Sequence, residues 1–133
     1  MDLGISDHVA PLLAEVKRFI DEEVLPLEEE YLREVGEGDR WQFTARQTEI
    51  MEGLKEQARS RGLWNFFLTD GESGSGLNTV EYGYLAEEMG KSHIAAEAFN
   101  CSAPDTGNME VLHKYGSAAQ KEAWLEPLLQ GQI

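Results

Sequence analysis

Glu110 and His113 stand three residues apart in Met109-Glu110-Val111-Leu112-His113-Lys114. On a helix that spacing puts both side chains on one face. It is the Glu-x-x-His step of di-iron bundles, which use two such steps and two further carboxylates on neighbouring helices. No glutamate precedes His8 or His93 by three residues, so the second step is missing and the two side chains read as a surface pair. The three histidines also lack a His or Cys partner at helical spacing, which disfavours zinc. Glu22-Glu23 and Glu28-Glu29-Glu30 follow one another along helical sequence. Their carboxylates therefore radiate, whereas a hard cation needs convergent oxygens. They read as a solvated face.

Three further candidates are weighed on the same terms. Gly71, Gly74 and Gly76 spell G-x-x-G-x-G, not the phosphate-cradling G-x-G-x-x-G between a strand and a helix. They read as a flexible connection, which glycine's backbone freedom suits. Cys101, the only cysteine, has no activating neighbour in sequence of the kind a nucleophilic thiolate requires. Glu87, Glu88 and Asp105 are carboxylates that could each serve as a general base, a role that needs burial to tune them. Residue chemistry alone describes an acidic helical domain with no catalytic constellation.

The elements that would carry these residues are helices. Val9, Leu12, Leu13, Val16, Phe19 and Ile20 form one apolar stripe with Ser6 as a plausible N-cap. Pro26 is expected to end or kink this helix near Leu25, with a shorter piece through Leu27 and Tyr31, and residues 36–39 form a loop. A second helix is expected over about 44–61, with Ile50, Met51, Leu54 and Ala58 inward and Gly62 as its stop. Residues 63–68 are a dense apolar run of no clear period. After a loop over 69–76, Asn78 and Glu81 make a capping box, with Leu77 and Tyr82 as a staple, for a helix ending at Gly90. Short helices over 93–99 and 106–114 follow. Ser117 and Gln120 cap a last one, which Pro127 is expected to end near Leu125, with a final turn over 128–130. About six helical pieces with short connections predict an all-α fold, an orthogonal or up-down helical bundle. No linker or repeat interrupts it, so residues 1–133 are read as one domain.

With 133 residues, 41% hydrophobic, the chain can bury a core without staples. Its formal net charge of -14 disfavours nucleic acid, whose phosphates need a basic face. A single cysteine excludes an intrachain disulfide, no apolar run is long enough for a membrane span, and the N-terminus lacks the pattern of a secretory signal. A cytoplasmic location is the simplest expectation.

The stretch Ala103-Pro104-Asp105-Thr106-Gly107-Asn108-Met109-Glu110-Val111-Leu112-His113-Lys114-Tyr115-Gly116, leading into Trp124-Leu125-Glu126-Pro127-Leu128-Leu129, resembles the acyl-CoA dehydrogenase family. So do Gly62-Leu63-Trp64 after a long helix, Gly76-Leu77-Asn78-Thr79-Val80-Glu81-Tyr82 running on to Ala86-Glu87-Glu88-Met89-Gly90-Lys91-Ser92, and Glu22-Glu23-Val24-Leu25-Pro26-Leu27. The resemblance covers about residues 9–133, and the order and spacing of these motifs make it specific.

The resemblance implies the N-terminal helical domain of a protein that continues into a β-domain and a C-terminal four-helix bundle. Such enzymes use FAD to oxidise the Cα–Cβ bond of an acyl-CoA. A carboxylate takes the α-proton, the flavin takes the β-hydride, and the electrons pass to an electron-transferring flavoprotein. The assembly is usually a homo-oligomer. The base and the main flavin contacts belong to parts that are not in this chain. No catalytic residue is therefore carried over, the cofactor-binding residues stay unknown, and FAD is not expected to be held by this chain alone. The domain's usual contribution is one wall of the acyl-chain pocket, which places Phe99, Ala103, Thr106 and Met109 as wall residues or, equally, as ordinary core contacts. The chain is expected to be a fragment, inactive alone. The alternative is a stand-alone helical interaction or assembly module that keeps the fold without the chemistry.

Overall fold

Pro26 does not end the first helix. In the computed structural model, which describes residues 4–39, 41–69 and 75–133, α1 (Ala10–Phe19) passes through a π-helical turn (Ile20–Val24) into α2 (Leu25–Arg33). Proline lacks an N–H, and its ring presses on the carbonyl one turn back. The π turn widens the coil just ahead of Pro26, with the Leu25 N–H reaching back to the Ile20 carbonyl. The chain absorbs the proline and stays helical. Pro127 is handled alike. A π turn over Lys121–Leu125, closed by the Glu126 N–H on the Lys121 carbonyl, joins α7 (Ala118–Gln120) to α8 (Glu126–Leu129). Both expected stops are thus corrected to π turns.

The other elements are α3 (Ala45–Ser60), α4 (Thr79–Met89), α5 (Ala95–Ala98) and α6 (Asp105–Tyr115). Their ends follow side-chain chemistry. Thr44 and Gln47 form a capping box on α3, Asn78 and Glu81 one on α4, and Ser117 and Gln120 one on α7. At the far end of α3, the Leu63 N–H donates to the Ala58 carbonyl and Gly62 N–H to that of Arg59. Gly62 takes φ +72, so this is a Schellman stop. Ser6 caps the turn that leads into α1, its carbonyl accepting from the Ala10 N–H at 3.0 Å. Val9 holds the N-cap position of α1, and the Ser6 hydroxyl accepts from the Val9 N–H at 3.2 Å while donating to Glu81 Oε1 at 2.8 Å. α5 is shorter than expected, because the Ser92 hydroxyl accepts from the Ile94 and Ala95 N–H groups and starts the helix late.

No strand occurs among the described residues, and the domain is all-α as its periodicity predicts. α1 packs on α4, α2 on α3, and α3 and α4 both on α5. The core is centred on three rings. Phe99 lies 5.2 Å from Phe19 and 5.7 Å from Phe66, centroid to centroid, in tilted pairs. The ambiguous run over 63–68 is neither helix nor strand. It crosses the interior as a turn, burying Leu63, Phe66, Phe67 and Leu68, so its composition is apolar without a period. Among the described residues, no helix is long and apolar enough to cross a membrane.

Candidate functional site: the segment from Phe99 to Met109

α5 ends in a residue that only a few side chains tolerate. Asn100 takes φ +56, which turns the chain from Phe99 out to Ser102 and on to α6. The four wall candidates divide across this turn. Phe99 and Met109 are wholly buried within the domain's own core, whereas Ala103 is exposed and Thr106 half-buried at the start of α6. The structure thus leaves Ala103 exposed and Thr106 half-buried, while Phe99 and Met109 belong to the core.

A polar cluster that pattern reading does not single out holds this segment. Asn65 also takes φ +56, and its N–H donates to the Phe99 carbonyl at 3.1 Å. Asn100 Nδ2 donates to Asn65 Oδ1 at 2.7 Å and to the Leu128 carbonyl at 2.9 Å. Asn65 Nδ2 donates to the Leu129 carbonyl at 2.9 Å, which also accepts from Trp64 Nε1 at 2.7 Å. Arg59 Nη1 donates to the Gln130 carbonyl at 2.7 Å. Three successive carbonyls at the end of α8 thereby receive donors from α3, the 63–68 turn and the end of α5, the Leu128 carbonyl in addition to the Gly131 N–H it accepts at 3.0 Å. Asparagine's tolerance of the left-handed region is the one local signal for such positions; the side-chain partners of the two asparagines lie 28 to 64 residues away in sequence.

Cys101 is buried beside this cluster, its Sγ 3.4 Å from the Phe99 carbonyl. Burial pushes its thiol up to about 12, so at neutral pH it is no thiolate. The same burial, with Cys101 beside it, raises the Tyr82 hydroxyl to about 12.

The other candidates do not converge. Glu110 is exposed and His113 half-buried on α6, and both line a cleft of about 480 Å³ with Leu68, Thr69, Val111, Lys114 and Tyr115. Glu23 pairs with Arg61 at 2.6 Å, Glu29 with Arg33 at 2.8 Å and Glu30 with Arg46 at 2.7 Å, while Glu28 accepts from the His93 N–H at 3.3 Å. Adjacent carboxylates thus face different partners. Glu88 pairs with Lys91 one turn on. Among the described residues no group of His, Cys, Asp and Glu is placed to hold a metal ion. Gly71 and Gly74 lie outside the described residues; Gly76 takes φ +70, a conformation suited to glycine.

The family model for the acyl-CoA dehydrogenase N-terminal domain matches residues 6–132, and the chain belongs to that family. It is 49% identical to mouse acyl-CoA dehydrogenase family member 10, covering 98% of this chain and 12% of that protein. It is 48% identical to human acyl-CoA dehydrogenase family member 11, covering 92% of this chain and 15% of that protein. Probable acyl-CoA dehydrogenase FadE2 of Mycobacterium tuberculosis is 44% identical over the whole chain, which spans 32% of it. A solved structure from Mycobacterium abscessus assigned to the acyl-CoA dehydrogenases superposes with a TM-score of 0.88 at 48% identity, covering 98% of this chain and 33% of that one. The chain thus spans a third or less of these relatives.

Proposed function

We propose that this chain serves as the N-terminal domain of an FAD-dependent acyl-CoA dehydrogenase, forms one wall of its acyl-chain pocket, and is inactive by itself. The carrying observation is the family match over nearly the whole chain, supported by relatives named as acyl-CoA dehydrogenases. Ala103 and Thr106 present the wall, and Phe99 and Met109 form the packed layer behind it. An acyl tail needs a dry, apolar boundary of fixed shape, and a buried aromatic and a buried methionine beneath a short surface segment supply one. In this reading the domain's task is to exclude water and to limit the tail's reach.

Among the described residues, two clefts are poorly matched to the cofactor. One offers a flavin pyrophosphate Lys114 and His113 alongside Glu110, and the other, at the start of α4, presents Glu81 and no basic residue, with the Val80 and Glu81 N–H groups already donating to Asn78 Oδ1. An anionic dinucleotide needs several cations or a helix-end cradle. This supports placing FAD in the rest of the complete protein, and no catalytic step is assigned to residues here. Acyl-CoA as substrate, an electron-transferring flavoprotein as acceptor, homo-oligomeric assembly and a cytoplasmic location complete the proposal.

The test is expression of the complete protein that carries this domain. A visible flavin band that bleaches on anaerobic addition of an acyl-CoA supports the reading; a protein that binds no flavin overturns it. A second reading, a stand-alone assembly module, draws on Val111 and Tyr115, one turn apart on α6 and 59% and 75% exposed. In that case the 133-residue chain forms a defined oligomer that Val111→Ser with Tyr115→Ser dissolves.

A further inference from the structure

Two non-glycine residues among those described, Asn65 and Asn100, hold the left-handed backbone region, both at φ +56, and they are bonded to each other. Both are nearly buried, at 7% and 8% exposed. The Asn100 amide is committed. Its two protons go to Asn65 Oδ1 and the Leu128 carbonyl, and Met109 Sδ lies 4.0 Å from the same nitrogen. Facing a carbonyl and an amide oxygen, no other side chain of that length supplies two donors and tolerates this backbone.

We infer that Asn65 and Asn100 are positioning residues that set the acyl-length preference of the pocket, by fixing the wall between Phe99 and Met109 to the end of α8. This rests on the wall described under the proposed function. The Asn pair grips both members of the packed layer. The Asn65 N–H holds the Phe99 carbonyl, and Asn100 touches Met109. On its other side the pair is tied to the Leu128 and Leu129 carbonyls. Ala103 and Thr106 lie between these fixed points along the chain and inherit their position. In an apolar pocket, one methylene more or less changes kcat/KM by about 10-fold or more. Wall position is therefore read out as chain-length selectivity.

The experiment uses the complete protein carrying this domain, with kcat and KM measured over a series of straight-chain acyl-CoAs. Asn100→Gly keeps the backbone conformation and deletes the amide; Thr44→Ala, in the remote cap of α3, is the control for general destabilisation. In Asn100→Gly the ratio of kcat/KM between the best and next-best chain lengths falls at least about threefold, through KM, with kcat on the best substrate held within about twofold. Thr44→Ala keeps the wild-type ratio. An unchanged ratio in flavin-loaded Asn100→Gly, or an equal loss at every chain length, overturns the inference. If Asn100→Gly loads no flavin, Asn65→Gly serves the same comparison. Amide hydrogen exchange gives a readout without turnover. Exchange over residues 101–106 quickens in either variant and not in the control, and unchanged exchange also overturns the inference. A wild-type protein that oxidises no acyl-CoA of any length fails at the proposed function itself, which the wild-type series alone reveals.

Discussion

Gly131 packs against the Trp64 ring so closely that a Cβ on it would stand 2.9 Å from Trp64 Cζ2. Gly131 also takes φ +65, and the Arg59 guanidinium lies 5.1 Å from the centroid of the same ring. The end of the helical segment thus closes on the 63–68 turn through a glycine that has both reasons to be glycine. Gly131→Ala is expected to destabilise the domain by about 2 kcal/mol, from left-handed strain with the ring contact added. Urea unfolding of the 133-residue chain measures it; a loss below about 0.5 kcal/mol would mean the end rearranges freely.

Thr44 caps α3 by accepting from the Gln47 N–H at 3.1 Å, and its hydroxyl also donates to Glu34 Oε2 at 2.9 Å. Thr44→Ala therefore removes a cap and a tie to the end of α2. The expected cost is about 1–2 kcal/mol, most of it recovered in Thr44→Ser. Equal stability of the alanine and serine variants contradicts the capping role.

Glu81 accepts from the Asn78 N–H and from the Ser6 hydroxyl. These bonds, the Asn78 one foremost, hold its carboxyl below the ordinary value of 4.5. The folded-state pKa is lower than the unfolded one, so this stability is present above about pH 4.5 and is lost as pH falls through the folded value. The stability difference between wild type and Glu81→Gln is expected to shrink with acidification below that pH. A difference that stays constant across the acid limb of the unfolding midpoint would mean the carboxylate charge contributes nothing.

Cys101 and Tyr82 act at the alkaline end. Their ordinary values are 9 and 10, and the folded domain raises both to about 12. Above about pH 9 the unfolded chain sheds protons that the folded chain keeps, so stability falls as pH rises. Cys101→Ala is expected to flatten that decline. The native thiol should resist an aromatic disulfide reagent at neutral pH and react once urea unfolds the chain. Prompt reaction of the folded protein would show the thiol to be accessible and ionisable.

Phe99 joins the Phe19 and Phe66 rings at the centre of the core. Phe99→Ala is expected to cost about 3–5 kcal/mol and to lower the yield of folded chain. Ala103→Ser, at an exposed position, should leave stability within about 0.5 kcal/mol. If thermal melts rank the two variants the other way, the packed layer and the surface segment have been exchanged.

The helices were legible in the residue order because their determinants are local. The Val16–Phe19–Ile20 stripe, the Ile50–Met51–Leu54–Ala58 stripe and the capping boxes at Asn78 and Ser117 each need only residues within two turns. The family was legible through motifs of the same short range. Both prolines were misleading for the opposite reason. Pro26 and Pro127 do break an α-helical bond pattern, but a π turn ahead of each one changes the pattern, and tertiary packing decides whether a chain does so. The run over 63–68 had composition without a period, since it is buried on all sides and presents no single face.

The amino-acid order by itself determined an acidic all-α domain, the ends of most of its helices and the family to which it belongs. Tertiary structure alone decided that Phe99 and Met109 are buried while Ala103 is exposed and Thr106 half-buried. It also decided that Asn65 and Asn100 meet, with the carbonyls of Leu128 and Leu129 as their other partners. A helix cap is settled by neighbours in the chain; a buried amide is settled by whichever carbonyl the fold brings to it, and that carbonyl comes from far along the chain.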